Sequence, residues 1–104
     1  LDMTLIASCF TDDVVVAYNQ LDIIQGKAAL LSFLTPRYQA LVDYQLDKSI
    51  VLSQGNTVCV EVSASYRNRE NNKVYQSRIF EVLTFTGDLI SRWDYVGNAE
   101  EIVQ

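Results

Sequence analysis

The alternation of apolar and polar residues in residues 57–67 constrains this chain more than any other feature. One face of this segment carries Val58, Val60, Val62, Ala64 and Tyr66. A period of two over this length is typical of a half-buried strand. We predict three long strands between Thr57 and Trp93, joined by turns at 68–72 and 86–88, with the rest of the chain packed on them.

The segments before this region predict a helix and a further long strand. Residues 27–34 are rich in strong helix formers, and Pro36 within the apolar pattern predicts a kink or break near Thr35. Residues 42–53 alternate again, with Val42 to Leu52 providing an apolar face that Lys48 interrupts. A hairpin turn follows at 54–56.

The first residues predict a short helix over 2–10, a break at 11–13 and a short strand over 14–18. The order of elements is that of an α+β fold, in which helices gather on one side of an antiparallel sheet. Long strands twist and curl, so we expect a strongly curved sheet with helices packed on its concave face. Such a sheet encloses a conical cavity suited to a small ligand.

Composition excludes several classes of function. Eight basic and thirteen acidic residues give a net charge of −5 without any basic cluster, so we expect no nucleic acid partner. No apolar run is long enough for a membrane span, and we expect no membrane partner. The four glycines are isolated, so no nucleotide-binding loop is predicted, and we expect no cofactor.

The chain has no histidine, and its acidic residues do not cluster at ligand spacing, so we expect no metal site. The same absence removes Ser-His and Cys-His nucleophile pairs. Two cysteines, Cys9 and Cys59, are too few for a disulfide framework. They indicate a reducing compartment, and we expect the protein in the cytoplasm.

Three stretches resemble nuclear transport factor 2-like domains. Residues 10–16, F-T-D-D-V-V-V, resemble the F-A-D-D-x-x-V that opens the sheet in these domains. Residues 25–30, Q-G-K-A-A-L, resemble their x-G-x-x-A-I helix start, and residues 85–93, F-T-G-D-L-I-S-R-W, resemble their final hairpin, F-x-x-G-K-I-x-x-W. The order and spacing of these stretches are similar to the SnoaL-like and ketosteroid isomerase-like branch.

The resemblance implies a cystatin-like cone that binds a small apolar or aromatic molecule and dimerises through the outer face of its sheet. It implies one domain over residues 1–104 with an incomplete N-terminal helix. Outward-facing residues of two neighbouring strands fit a two-fold interface: Glu61, Arg78, Phe80 and Val82. The alternative is a solvated sheet face with one surface ion pair.

Glu81 is the first candidate for chemistry. It alternates with Ile79, Leu83 and Phe85 on the face expected to line the cone. The resemblance places it where ketosteroid isomerases hold a protonated acid that donates to an oxyanion. The alternatives are a glutamate satisfied by a tyrosine, Lys48 or a rim arginine, and a register slip that places it outside.

Tyr18 stands, by the resemblance, where ketosteroid isomerases place the aspartate that moves the proton. Because a tyrosine is a poor base at neutral pH, it is either an oxyanion donor or a wall residue with a bonded hydroxyl. In limonene epoxide hydrolase-like members an arginine and an aspartate act where Val62 and Ala64 stand here. Neither residue can do that work, so the resemblance disfavours epoxide hydrolysis.

The remaining predicted lining residues are apolar or aromatic. We expect the following to bind ligand together with Tyr18 and Glu81: Val62, Ala64, Tyr66, Ile79, Trp93 and Tyr95. Trp93 and Tyr95 share a face, which leaves Asp94 outside unless a bulge exchanges the faces. Plain core packing is the alternative for both aromatics.

Two functions remain open at this point. The first is a homodimeric binding module whose cone holds a small apolar or aromatic molecule. The second is an isomerase, cyclase or dehydratase in which Glu81 is the acid or base and Tyr18 and Tyr66 donate to an oxyanion.

Overall fold

The computed structural model describes residues 2–103, and Leu1 and Gln104 lie outside the described residues. Two helices and six strands follow one another along the chain. They are α1 (Met3–Ala7), β1 (Phe10–Tyr18), β2 (Ile24–Gln25), α2 (Lys27–Gln39), β3 (Leu41–Gln54), β4 (Thr57–Asn68), β5 (Val74–Thr86) and β6 (Leu89–Glu101). The predicted α+β class is confirmed.

All six strands form one sheet in the order β2-β1-β6-β5-β4-β3. Strands β3 to β6 are the predicted antiparallel meander. The sheet as a whole is mixed, because β1 lies beside β6 and runs parallel to it. Its curvature gives a concave face, on which α2 packs, and a convex outer face.

The core lies between α2 and the β1–β6 half of the sheet. Its buried residues are Phe10, Val14, Val16, Leu30, Leu34 and Trp93. A smaller buried cluster of Val60, Val62 and Ile79 covers the middle of β4 and β5. Burial of this apolar surface, at roughly 25 cal/mol per Å², is the main force that holds α2 against the sheet.

Of the kink or break predicted near Thr35, the break is wrong, because α2 continues through Pro36 to Gln39. Proline removes one helical hydrogen bond and costs about 3 kcal/mol in a helix interior. Leu34 on one side of it is fully buried, and Tyr38 on the other side packs against the core. Burial on both sides therefore outweighs the local cost, and the helix stays whole.

Strand β1 begins at Phe10, so the break expected at 11–13 is also wrong. These residues form an irregular part of the strand, since Phe10 pairs with Ile90 but Val15 already pairs with Arg92. Strand β6 runs beyond Tyr95 to Glu101, where it pairs with Tyr75. Residues 98–101 are thus held in place by the ladder to β5.

Two bulges in β3 change which side chains share a face. Asp43 adopts a positive φ of 53°, and the register to β4 shifts between Val42 and Gln45. A second shift lies between Ile50 and Leu52. Val42 and Leu52 therefore lie on the convex face, opposite Arg67 and Cys59, and their expected place on the apolar face is wrong.

The middle of β3 follows the prediction. Leu46, Lys48 and Ile50 lie opposite Ala64, Val62 and Val60 on the concave face. Within residues 2–103, neither helix is long and apolar enough to cross a membrane.

Candidate functional site

An apolar cavity of about 320 Å³ lies on the concave face, between the sheet and the two helices. Its walls come from α1, α2 and every long strand: Ile6, Cys9, Phe10, Tyr18, Leu34, Tyr38, Tyr44, Leu46, Lys48, Val62, Ile79, Glu81, Leu83, Ile90, Trp93 and Tyr95. Two charged side chains, Lys48 and Glu81, stand among these apolar and aromatic walls. The volume is within the range of sites for small molecules.

Glu81 lies in the concave row that crosses the sheet from Tyr18 through Tyr95 to Val60. Its side chain is only 9% exposed. Trp93 Nε1 donates a hydrogen bond of 2.6 Å to Glu81 Oε2. The expected inward position of Glu81 is therefore what the structure has, and its carboxylate has a partner.

Lys48 provides the second partner of Glu81. Its Nζ lies 3.6 Å from Glu81 Oε1, and about half of its side chain is exposed. Lys48 lies on the edge strand β3, opposite Val62 of β4. Its apolar stem therefore crosses β4 before the ammonium reaches Glu81 on β5. Because the ion pair is half open to water, its contribution to stability is small.

A cluster of tyrosines stands at the middle of the concave face. Tyr18 and Tyr95 are paired across β1 and β6, and their rings stack with centroids 3.9 Å apart. Trp93 meets both rings edge-on, at 5.8 Å. The stack fixes one wall of the apolar cavity next to Glu81.

The tyrosine hydroxyls of this cluster are held neutral. Burial, more than any other cause, raises the phenol pKa of Tyr18, Tyr38, Tyr44 and Tyr95, and the Glu81 carboxylate raises these pKa values further. A neutral phenol donates a hydrogen bond and does not take up a proton. These four residues therefore carry protonated phenols, which can donate hydrogen bonds, at physiological pH.

A second, polar cavity of about 490 Å³ adjoins the apolar cavity. Both are lined by Tyr18, Tyr38, Tyr44, Ile79 and Tyr95. The polar cavity continues toward the end of α2 and the β4–β5 turn, where Arg37, Asn68 and Glu70 line it.

The structure divides the predicted lining residues between these two cavities. Val62, Glu81 and Trp93 line the apolar cavity, whereas Ala64 and Tyr66 line the polar cavity. Tyr66 stacks on Tyr44, with centroids 6.4 Å apart, at the far side of the tyrosine cluster. Tyr66 therefore does not line the apolar cavity together with Glu81.

Several lining residues were absent from the prediction. Tyr38 belongs to the helical apolar stripe but follows Pro36, after the expected end of the helix. Arg37 had no signal in the sequence, and Tyr44 lies on the apolar face of β3, two residues before Leu46, but was not among the expected lining residues. Lys48 had the one usable signal, a basic residue on an otherwise apolar strand face.

The convex face carries the residues expected there. Glu61 and Arg78 form an ion pair of 2.6 Å, and the Arg78 guanidinium lies 5.4 Å from the Phe80 ring centroid. Asp94 also points outward and pairs with Arg92 at 2.9 Å, so it is separate from the cavities. The bulge in β6 lies near Ser91, before Trp93, and does not bring Asp94 inside.

No metal site emerges from residues 2–103, which contain no group of three or more cysteine or acidic side chains placed to hold an ion. Cys9 and Cys59 are both free thiols. Cys9 is exposed and borders the apolar cavity.

The fold of the chain agrees with that of known proteins. The SnoaL-like domain family matches the chain over residues 1–93. The chain belongs to the SnoaL-like domain family. No curated protein matches this SnoaL-like domain.

Solved structures of nuclear transport factor 2-like proteins share the fold of this SnoaL-like domain. One is the epoxide hydrolase/cyclase-like enzyme SalBIII, which has a role in pyran ring formation in the polyether salinomycin. It has a TM-score of 0.80 at 19% identity, and the match covers 93% of this chain and 78% of SalBIII. A nuclear transport factor 2-like protein of unknown function from Cytophaga hutchinsonii has a TM-score of 0.72 at 18% identity, covering 91% and 84% of the two chains.

A protein of ketosteroid isomerase-like fold from Catenulispora acidiphila, in complex with trimethylamine, has a TM-score of 0.77 at 9% identity. That match covers 90% of this chain and 73% of the other. At these identities the likeness establishes the cone-shaped fold of this SnoaL-like domain.

Proposed function

We propose that this SnoaL-like domain binds a small, largely apolar or aromatic molecule in the apolar cavity. The proposal rests on one observation: a nearly buried carboxylate, Glu81, stands in the wall of a cavity that is otherwise apolar and aromatic. Apolar walls supply binding energy, and a single fixed acceptor orients a ligand that carries a hydroxyl or amine. The stacked Tyr18 and Tyr95 rings offer a further aromatic wall.

The surroundings of Glu81 favour binding over proton transfer. Trp93 donates to one carboxylate oxygen, and the Lys48 ammonium lies near the other. A carboxylate with these two partners is held in place as a hydrogen-bond acceptor. The neighbouring phenols are donors because burial raises their pKa values, so none of them replaces the missing base.

Binding of 2-naphthol tests this proposal. The probe has an aromatic body and one hydroxyl that can donate to Glu81. Trp93 is the sole tryptophan, so its fluorescence reports directly on the cavity. We expect saturable binding that Glu81→Gln weakens about tenfold, the loss of one hydrogen bond to a charged acceptor.

The matched control is Glu61→Gln, which makes the same change in an ion-paired glutamate on the convex face. It should leave the affinity for 2-naphthol unchanged. Absence of saturable binding to the wild type, or an equal loss in both variants, would show that the apolar cavity is not the binding site.

An acid–base enzyme is the second candidate, favoured by the presence of Glu81 and neutral phenols in one cavity. Glu81 would take a proton from the carbon between a carbonyl and a double bond and return it to the far end of that double bond. Tyr18 and Tyr95 would donate to the developing oxyanion. Isomerisation of a β,γ-unsaturated ketone that is lost in Glu81→Gln and kept in Glu61→Gln would establish this reaction in place of simple binding.

The same proposal includes a homodimer formed through the convex face. Phe80 is 42% exposed and Val96 is 68% exposed, and the two lie opposite each other on β5 and β6. The Glu61–Arg78 ion pair borders them and supplies one charge of each sign. A patch of this kind is able to meet its own copy about a two-fold axis. Free thiols at Cys9 and Cys59 support a cytoplasmic location.

A further inference from the structure

The two cavities differ sharply in polarity. The apolar cavity ends at Phe10, Leu83 and Ile90, near α1 and the β5–β6 turn. The polar cavity is lined at its other end by amide side chains, including Asn19, Asn68 and Asn98. Five residues line both cavities: Tyr18, Tyr38, Tyr44, Ile79 and Tyr95. The concave face therefore offers one site with an apolar end and a polar end.

Arg37 is the cation at the polar end. Its guanidinium lies over the Phe33 ring, 4.2 Å from the centroid, and 5.4 Å from the Tyr18 centroid. Stacking on two rings fixes the planar group beside the polar cavity. Within residues 2–103, no carboxylate forms an ion pair with it. Its charge is therefore available to a ligand.

We infer that the ligand of this domain is an amphipathic anion, with an aromatic or aliphatic body in the apolar cavity and a carboxylate in the polar cavity at Arg37. This inference rests on the proposed function and adds the ligand's charge and direction. The guanidinium and the neutral phenols of Tyr38 and Tyr44 are all donors, as a carboxylate requires.

The charges in the two cavities set the direction of binding. In the apolar cavity the Lys48 ammonium is paired with Glu81, whose own charge would repel a carboxylate, so the anionic end faces Arg37. Glu70 is the other charged residue that lines the polar cavity. It lies in the β4–β5 turn and opposes the attraction of Arg37. The net charge of −5 also opposes binding of any anion. A preference for an anionic ligand therefore has to come from Arg37 itself.

A pair of probes with the same body separates the anionic group from the rest: 4-phenylbutyrate and 4-phenylbutanol, both followed by Trp93 fluorescence. We expect the wild type to bind the acid about tenfold more tightly than the alcohol, from one charge-assisted contact. Arg37→Gln should remove this preference and leave the alcohol's affinity unchanged. Glu70→Gln should strengthen binding of the acid about twofold.

Arg92→Gln is the matched control, because it removes one arginine charge from the convex face. It should leave the affinities for both probes as they are. Arg37→Lys, which keeps the charge, should retain part of the preference for the acid and shows that the site remains folded.

Equal binding of the two probes by the wild type, or an equal effect of Arg37→Gln and Arg92→Gln, would overturn the inference. If 2-naphthol still binds in that case, the proposed function stands and only the anionic end is wrong. If none of the three probes binds, both the proposed function and this inference fail.

Discussion

The indole of Trp93 and the carboxylate of Glu81 are joined by a hydrogen bond of 2.6 Å that runs diagonally across the β5–β6 ladder. Glu81 lies opposite Tyr95, and Trp93 lies opposite Leu83. Both partners are buried. The bond holds the carboxylate at the edge of the apolar cavity and leaves its second oxygen to Lys48. Because Trp93 is also a core residue, this one hydrogen bond links the cavity wall to the core.

Trp93→Phe should lower the free energy of unfolding by about 3 kcal/mol. The change leaves a buried carboxylate without its donor, which costs about 1.5–3 kcal/mol, and it also removes ring volume from the core. Urea denaturation followed by circular dichroism measures the loss. Glu81→Gln keeps an acceptor oxygen for the indole and should cost less; an equal loss in both variants would mean that the charge of Glu81 matters as much as the hydrogen bond and the ring volume together.

Pro36→Ala should stabilise the protein by about 1–2 kcal/mol. It restores the helical N–H within α2, worth up to about 3 kcal/mol, while the unfolded chain gains about 0.4–1 kcal/mol of flexibility. Ser32→Ala, an exposed change in the same helix, controls for helix propensity and should gain only a few tenths of a kcal/mol. Urea midpoints of the two variants that do not differ would show that Pro36 is not strained in this helix.

The pairing of β4 with β5 explains why much of the site was predictable from sequence. Their register is uninterrupted from Thr57 to Arg67, so alternation alone places Val62, Ile79 and Glu81 on the concave face. A bulge depends on the backbone of one residue, such as Asp43 with its positive φ, and alternation carries no signal for it. The alternation of side chains along the sequence therefore predicts the wrong face at both ends of β3.

The residues that the sequence did not place follow from tertiary packing. Arg37 and Tyr38 lie beyond Pro36, and the local rule for proline ends the helix before them. Burial of Leu34 and Tyr38 on both sides of Pro36 keeps the helix intact, and this is a property of the assembled core. The division of the concave face into two cavities depends in the same way on where the stacked rings of Tyr18 and Tyr95 stand.

Alkaline pH should destabilise the protein through its buried tyrosines. Burial raises the pKa values of Tyr18, Tyr38, Tyr44 and Tyr95 above 10.0 in the folded state. In the unfolded chain these tyrosines have a pKa of about 10. The contribution of these tyrosines to the free energy of unfolding is therefore fully present below about pH 10. It is lost as the pH rises further, because the unfolded state gives up its protons first.

Urea denaturation at a series of pH values from 8 upward measures this loss. Each such group can contribute a slope of up to about 1.4 kcal/mol per pH unit, and less here because the side chains are partly exposed. Tyr38→Phe should make the decline above pH 10 shallower. A variant whose stability falls as steeply as that of the wild type would show that Tyr38 titrates alike in the folded and unfolded states.

The proposed homodimer predicts that Val96→Asp is a monomer. Val96 is the most exposed apolar residue of the convex patch, and a carboxylate there would lose its hydration and meet the same charge on its partner. Leu21→Asp, the same kind of change in the turn after β1, should stay dimeric. Because each chain carries a net charge of −5, added salt should strengthen the wild-type dimer by screening repulsion between the copies. Sedimentation equilibrium over a range of protein and salt concentrations measures both effects, and a wild type that stays monomeric throughout would remove the convex face as an interface between copies of this chain.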